Sequence, residues 1–131
     1  MSQQTIEILL SDAIEFHSDL TKEYRNLEGI RDIKLLESAI SNPFQSMFGE
    51  DLYQNIEDKA ARLSFGVINN HPFVDGNKRT GLHCMLVFLL LNEYDIEYTQ
   101  LEIEELAVGI AEKTIFVEKI AEWIRSHRKS K

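Results

Sequence analysis

The sequence predicts an all-α fold. Three observations carry that expectation. Apolar residues recur at helical spacing through most of the 131 residues, capping residues precede those runs, and extended-type pattern is confined to short pieces. Ser11 can cap a first helix with Ile14, His17, Leu20 and Tyr24 on one face, ending near Gly29. Asp32 can cap a second carrying Leu35, Leu36, Ala39 and Ile40. It stops before Asn42-Pro43, because proline drives the residue ahead of it out of the helical region. Asn55, with Asp58 three residues later, opens a third helix with Ala60, Leu63 and Val67 facing inward.

The run over about 78–92 predicts a fourth helix, apolar all round, and so the buried centre on which the others pack. Thr99 and Glu102 form a T-x-x-E capping box, followed by Ile103, Leu106, Ala107 and Ile110 at i, i+3, i+4 and i+7. Thr114 can cap a last helix with Val117, Ile120, Ala121 and Ile124 on its stripe. Its basic end, "RSHRKSK", suits the negative end of a helix dipole. Only Ile6–Leu10, Ile96–Tyr98 and the loop over 43–54 remain as extended candidates.

The length fits a single domain, 1–131, with no repeat, low-complexity tract or flexible linker. A net charge of −8 argues against a nucleic-acid partner, which calls for a basic footprint. Cys84 is the one cysteine, so no intrachain disulfide or cysteine-based zinc cluster forms, and its apolar setting implies a buried, inert thiol. The N-terminus "MSQQTIEILLSDAIEF" lacks the features of a secretion signal. The run Leu82–Leu91 falls short of the roughly 20 apolar residues that span a bilayer. No membrane partner is expected, and the cytoplasm is the expected compartment.

Chemistry concentrates in "HPFVDGNKR", His71 to Arg79, immediately before the apolar run. The first N–H groups of a helix lack intrahelical acceptors, and with the dipole they suit a phosphate. Gly76 allows close backbone approach or a positive φ. Lys78 and Arg79 stand at the end of the helix where cations are unfavourable alone and favourable beside an anion. Asp75 among such groups reads as a ligand for Mg²⁺ shared with phosphates. His71 has the titration range of a base that takes a proton from an attacking hydroxyl. Pro72 and Phe73 fix the turn and anchor it. Base, metal ligand, anion cradle and cations together describe phosphoryl-type transfer. The segment is not a Walker A loop, since Asn77 stands where that motif has glycine. His17, His83 and His127 show no paired metal-ligand spacing. His17 reads as a half-buried packing residue, His127 as a partner of the helix dipole, and Trp123 as core.

The same nine residues resemble the signature of the Fic/Doc family, His-Pro-Phe-x-Asp/Glu-Gly-Asn-Gly/Lys-Arg, at every specified position. "GIRDIKLLESAI", "FGEDLYQNIEDKAARLSFGVINN" and "LLLNEYDIEYTQLEIEELAVGIA" are similar to the corresponding parts of death-on-curing (Doc) toxins. The resemblance implies a Fic-type helical bundle with a short flap, and it implies roles. His71 is the base, Asp75 the Mg²⁺ ligand, and Gly76 and Asn77 the anion hole for nucleotide phosphates. Arg79 contacts phosphate. Phe48, Gly49 and Leu52 lie in the flap that docks the target peptide.

Two positions depart from the AMP-transferring pattern of the family. Lys78 replaces its second glycine and Leu82 its second arginine. Lysine blocks close backbone approach and adds charge, so the resemblance implies a nucleotide seated to present the γ-phosphate of ATP. The activity implied is that of a toxin kinase acting on a threonine of elongation factor Tu. AMP transfer to a protein hydroxyl is the alternative, and a catalytically inert binding module is a second. The self-inhibitory Ser/Thr-x-x-x-Glu-Gly/Asn motif is incomplete, because Phe16 follows Ser11–Glu15 and Lys119 follows Thr114–Glu118. Inhibition by a separate antitoxin is therefore expected.

Overall fold

The computed structural model describes residues 4–129. Among them the chain forms α1 (Leu10–Tyr24), α2 (Ile33–Ser41), α3 (Ile56–Asn70), α4 (Asn77–Leu91), α5 (Gln100–Ala111) and α6 (Val117–Ser126). A 3-10 turn (Asn42–Phe44) and a two-stranded hairpin, β1 (Ser46–Met47) and β2 (Glu50–Asp51), lie between α2 and α3. The fold is all-α, as the helical spacing predicts. No described helix is long and apolar enough to cross a membrane.

Small residues on α3 decide how the helices pack. Ala60, Ala61, Ser64 and Gly66 are buried, and α3 touches α2, α4, α5, α6 and the 3-10 turn. A Cβ on Gly66 would come within 3.2 Å of Ala39 on α2, and one on Gly81 of α4 within 2.7 Å of Ile68. The predicted buried central helix is present as α4, but it shares the centre with α3. Cys84, Met85, Phe88 and Leu89 are buried, whereas Leu90 and Leu91 are exposed and Leu82 and Leu86 are partly so. Uniform hydrophobicity could not say which side of α4 has neighbours. Cys84 is fully buried, and burial pushes its thiol up to about 12.

Several caps differ from expectation. Ser11 does not begin α1. The helix has Leu9 as its N-cap, two residues before the expected one, with the Asp12 carboxylate accepting from the Leu9 N–H at 2.9 Å. It ends at Tyr24 rather than near Gly29, because Arg25 turns left-handed (φ 56°) and sends the following residues toward the 71–76 loop. Asp32 caps α2 as predicted, accepting from Lys34 and Leu35. Asn55 precedes α3 but donates to Asp58 instead of capping backbone N–H groups. Both bonds of the Thr99–Glu102 capping box are present. Thr114 does not cap α6, which begins after Phe116. Its hydroxyl donates back to the Gly109 carbonyl and closes the turn after α5.

The extended segment near the N-terminus is not a strand. The Asn92 side chain brackets Ile6 instead, accepting from its N–H at 2.8 Å and donating to its carbonyl at 2.9 Å. Ile96 makes one bridge, to Arg128. In the hairpin Ser46 pairs with Asp51 and Met47 with Glu50. Phe48 and Gly49 form the turn, both with positive φ (53° and 80°), the two-residue geometry that matches strand twist. Trp123 is half-buried and stacks on His127 with ring centroids 3.9 Å apart.

Candidate active site

The nine-residue motif spans the gap between the two central helices. His71 ends α3 as its C-cap in the left-handed region (φ 48°, ψ 52°), and Gly76 begins α4 as its N-cap (φ 77°, ψ 19°). Glycine at position 76 is explained by that φ, since a Cβ there would meet only ordinary van der Waals contacts at 3.5 Å and beyond. Pro72 and Phe73 are buried and hold the turn to the core, as the sequence suggests.

The turn is paired with the segment that follows α1. Ile30 bridges Phe73, and the Val74 N–H donates to the Gly29 carbonyl at 3.0 Å. The Pro72 carbonyl accepts from both Arg31 and Asp32 N–H groups, at 2.7 and 3.0 Å. The Arg31 guanidinium donates from Nε to the His71 carbonyl at 2.7 Å and from its Nη2 nitrogen to the Asn70 carbonyl at 2.9 Å. His71 itself is exposed.

Asn77 faces inward. Its side-chain Oδ1 accepts from the Phe73 N–H at 3.0 Å, and its Nδ2 donates to the Phe73 carbonyl at 3.1 Å. With its amide engaged in bracing the turn, what Asn77 offers an anion is its backbone N–H. No side chain caps α4, so the first N–H groups of Asn77, Lys78 and Arg79 face the site. Lys78 and Arg79 stand exposed on that first turn. The Arg79 guanidinium sits over the Tyr24 ring, its Cζ 3.9 Å from the centroid, and donates to Asn26 Oδ1 at 3.4 Å. A stacked guanidinium keeps its edge available for hydrogen bonding.

The Asp75 carboxylate is held at the edge of this cradle. Oδ1 accepts from the Gly76 N–H at 2.9 Å, while Oδ2 accepts from the Leu27 N–H and from Asn26 Nδ2, both at 3.2 Å. The Leu27 bond, then that of Gly76, keeps its pKa below the usual carboxylate value, with Asn26 and Arg79 adding to this against a desolvation penalty. A carboxylate has about four lone-pair sites. Three bonds leave one of them free, so Asp75 could offer an oxygen to a divalent cation such as Mg²⁺. Among the described residues no cluster of three or more acidic, histidine or cysteine side chains could cage a metal by itself.

Asp75, Gly76, Asn77, Lys78 and Arg79 line one open cleft of about 880 Å³, which continues over Leu20, Leu82, Leu86 and Ile103 toward α5. His71 and the flap residues Phe48, Gly49 and Leu52 are not among the residues lining it. Phe48 is 98% exposed at the tip of the hairpin, and Leu52 is 50% exposed. Beneath the hairpin, Lys59 of α3 is buried. Its Nζ pairs with Asp51 Oδ2 at 3.0 Å and contacts the Tyr53 carbonyl.

Sequence reading missed four participants. Tyr24 supports Arg79, Asn26 joins Asp75 to Arg79, and Arg31 holds the carbonyls around His71. His17, expected to be half-buried packing, is 4% exposed and stacked on Phe73, with Nε2 at 2.8 Å from the Asp75 carbonyl oxygen. All four lie some 40 to 60 residues from the motif in sequence, and only the "GIRD" segment gave a signal near one of them.

Comparison with known proteins identifies the family. The sequence profile of the Fic/DOC family matches residues 7–89. A protein named Toxin Doc from Mycolicibacterium smegmatis is 31% identical over 107 residues, covering 77% of this chain and 76% of that one. A protein named Protein kinase doc from Escherichia phage P1 is 29% identical over 114 residues, covering 87% and 89%. The motif, the helical frame that presents it and these matches place the chain in the Fic/DOC family.

Proposed function

We propose that the protein is a Doc-type toxin, a single Fic/Doc domain that transfers the γ-phosphate of ATP to a threonine or serine hydroxyl of a target protein. One arrangement carries the reading. The uncapped N-terminus of α4, flanked by Lys78 and Arg79, has an ionised carboxylate bound at its edge. Such an end is unfavourable for cations by itself and favourable once phosphate occupies it.

In this reading Gly76 lets the backbone approach, and the N–H groups of Asn77, Lys78 and Arg79, with the Lys78 and Arg79 side chains, bind and orient the phosphates. His71 Nδ1 or Nε2 takes the proton from the target hydroxyl as its oxygen bonds to the γ-phosphorus. The bond to the bridging oxygen breaks and ADP leaves. Asp75 would hold Mg²⁺, which when bound would supply charge neutralisation for the phosphates. Phe48, Gly49 and Leu52 dock the target segment, consistent with an apolar side chain held fully exposed at the hairpin tip. The relatives' names, Toxin Doc and Protein kinase doc, support toxin activity and phosphate transfer; a separate antitoxin as partner and action in the cytoplasm belong to the same proposal. Elongation factor Tu is the target that the family resemblance suggests.

The test uses ATP labelled at the γ- or the α-position with purified elongation factor Tu. Label from the γ-position is expected on the protein, and none from the α-position. Retained α-label would replace phosphorylation with AMP transfer. Lys78→Gly is expected to weaken γ-transfer, and His71→Ala to abolish both transfer and growth arrest. Equal growth arrest by His71→Ala would point to a binding module.

A further inference from the structure

We infer that Arg31 is a positioning residue for His71, holding the backbone conformation that aims the imidazole. This rests on the reading of His71 as the base, and it assigns work to a residue outside the motif. The last carbonyls of a helix have no intrahelical donors and carry the negative end of its dipole. At the end of α3 three successive carbonyls, those of Asn70, His71 and Pro72, all accept from Arg31 or Asp32. The planar guanidinium takes two of them at once, and the backbone N–H groups of Arg31 and Asp32 take the third.

His71 needs such a hold for two reasons. It adopts the left-handed region without being glycine, where a Cβ crowds the following carbonyl. It also precedes Pro72, and a residue before proline prefers an extended backbone. Released from its partners, His71 would relax toward that extended state and swing its side chain away. Arg31 is exposed, so its removal leaves no cavity in the core. It does not touch the phosphate cradle, whose carboxylate is held by Leu27 and Asn26 instead. Arg31 therefore acts on the proton-transfer step and not on nucleotide binding.

The experiment compares Arg31→Ala and Arg31→Lys with wild type, as full chains, in γ-phosphate transfer to elongation factor Tu. For Arg31→Ala, kcat is expected to fall by about tenfold to a hundredfold, the scale of a small misplacement of a reacting group. KM for ATP should stay within about twofold. Arg31→Lys, which keeps the charge but offers no planar fork, should recover only part of kcat. Unchanged kcat, or a loss carried entirely by KM for ATP, overturns the inference.

A second reading needs no activity. The backbone resonances of selectively labelled His71 should move toward extended values in Arg31→Ala while the rest of the fingerprint stays in place. Unmoved His71 resonances overturn the inference even if wild type transfers no phosphate, an outcome that would refute the proposed function separately. If Arg31→Ala does not fold, Arg31→Lys decides by the same two measurements.

Discussion

The ring of His17 lies parallel to that of Phe73, with centroids 3.8 Å apart, and its Nε2 donates to the Asp75 carbonyl at 2.8 Å. A buried residue of α1 thus holds both halves of the motif turn, one by stacking and one by hydrogen bonding. His17→Ala removes both contacts and opens a space beside the core. We expect a loss of about 2–4 kcal/mol in urea unfolding. His17→Phe keeps the ring and should recover part of that stability while leaving the Asp75 carbonyl unpaired. Equal stability of the alanine variant and wild type would show that the turn does not depend on this contact.

Lys59 ties the hairpin to α3 through Asp51 and the Tyr53 carbonyl. Lys59→Met fills similar volume but leaves both partners without their donor. Asp51 is half-exposed and regains water, so we expect only about 1–2 kcal/mol of destabilisation, read from chemical denaturation. The larger effect should be local, with faster proteolytic cleavage between residues 46 and 53. Cleavage at the wild-type rate would mean that the hairpin is held by other contacts.

Gly81 sets the separation of the two helices that carry the motif. A Cβ at this position would come within 2.7 Å of Ile68 Cγ1 and 3.3 Å of the Ser64 carbonyl oxygen. Gly81→Ala raises helix propensity on α4 yet must push α3 and α4 apart. We expect the overpacking to dominate, with a net loss of about 1–3 kcal/mol and a lower melting temperature. A higher melting temperature would show that Ile68 can rotate away freely.

His127 and Glu102 give stability a dependence on pH. His127 Nε2 lies 2.7 Å from Glu102 Oε2, and its Nδ1 lies 2.7 Å from the Trp123 carbonyl. Burial opposes charging of the ring, but the Glu102 and Trp123 acceptors outweigh it and raise the His127 pKa. The His127 hydrogen bond, then those from Thr99, draws the Glu102 pKa down to about 2. A raised histidine stabilises fully below its unfolded value of about 6.5 and loses this as pH rises through its folded pKa. A lowered carboxyl stabilises above its ordinary value of about 4.5 and loses this as pH falls toward 2. The pair is therefore most stabilising between about pH 4.5 and 6.5. Melting curves of wild type and Glu102→Gln should differ most in that window, the gap narrowing as pH rises through the raised His127 pKa and closing as pH falls toward 2.

The helices were legible because each buries one stripe whose spacing is written locally. Asp32 and the Thr99–Glu102 box work as read because their bonds lie within one helical turn. Thr114 and Ser11 were misplaced because a hydroxyl near a helix start has rival partners, here the Gly109 carbonyl and the competing carboxylate of Asp12. The exposure of Leu90 was invisible in a run of nearly uniform hydrophobicity.

At the site, the motif from His71 to Arg79 could be read as a phosphate cradle because its chemistry lies within nine consecutive residues. Their backbone conformations follow from local needs, glycine at a positive φ and an uncapped helix end. Tertiary structure alone decided who steadies that cradle. Tyr24 under Arg79, Asn26 on Asp75, Arg31 on the His71 carbonyl and His17 against Phe73 are contacts between segments far apart in sequence. Local pattern fixes which groups a turn presents, whereas the packing of α1 and the segment after it against the turn fixes where those groups point.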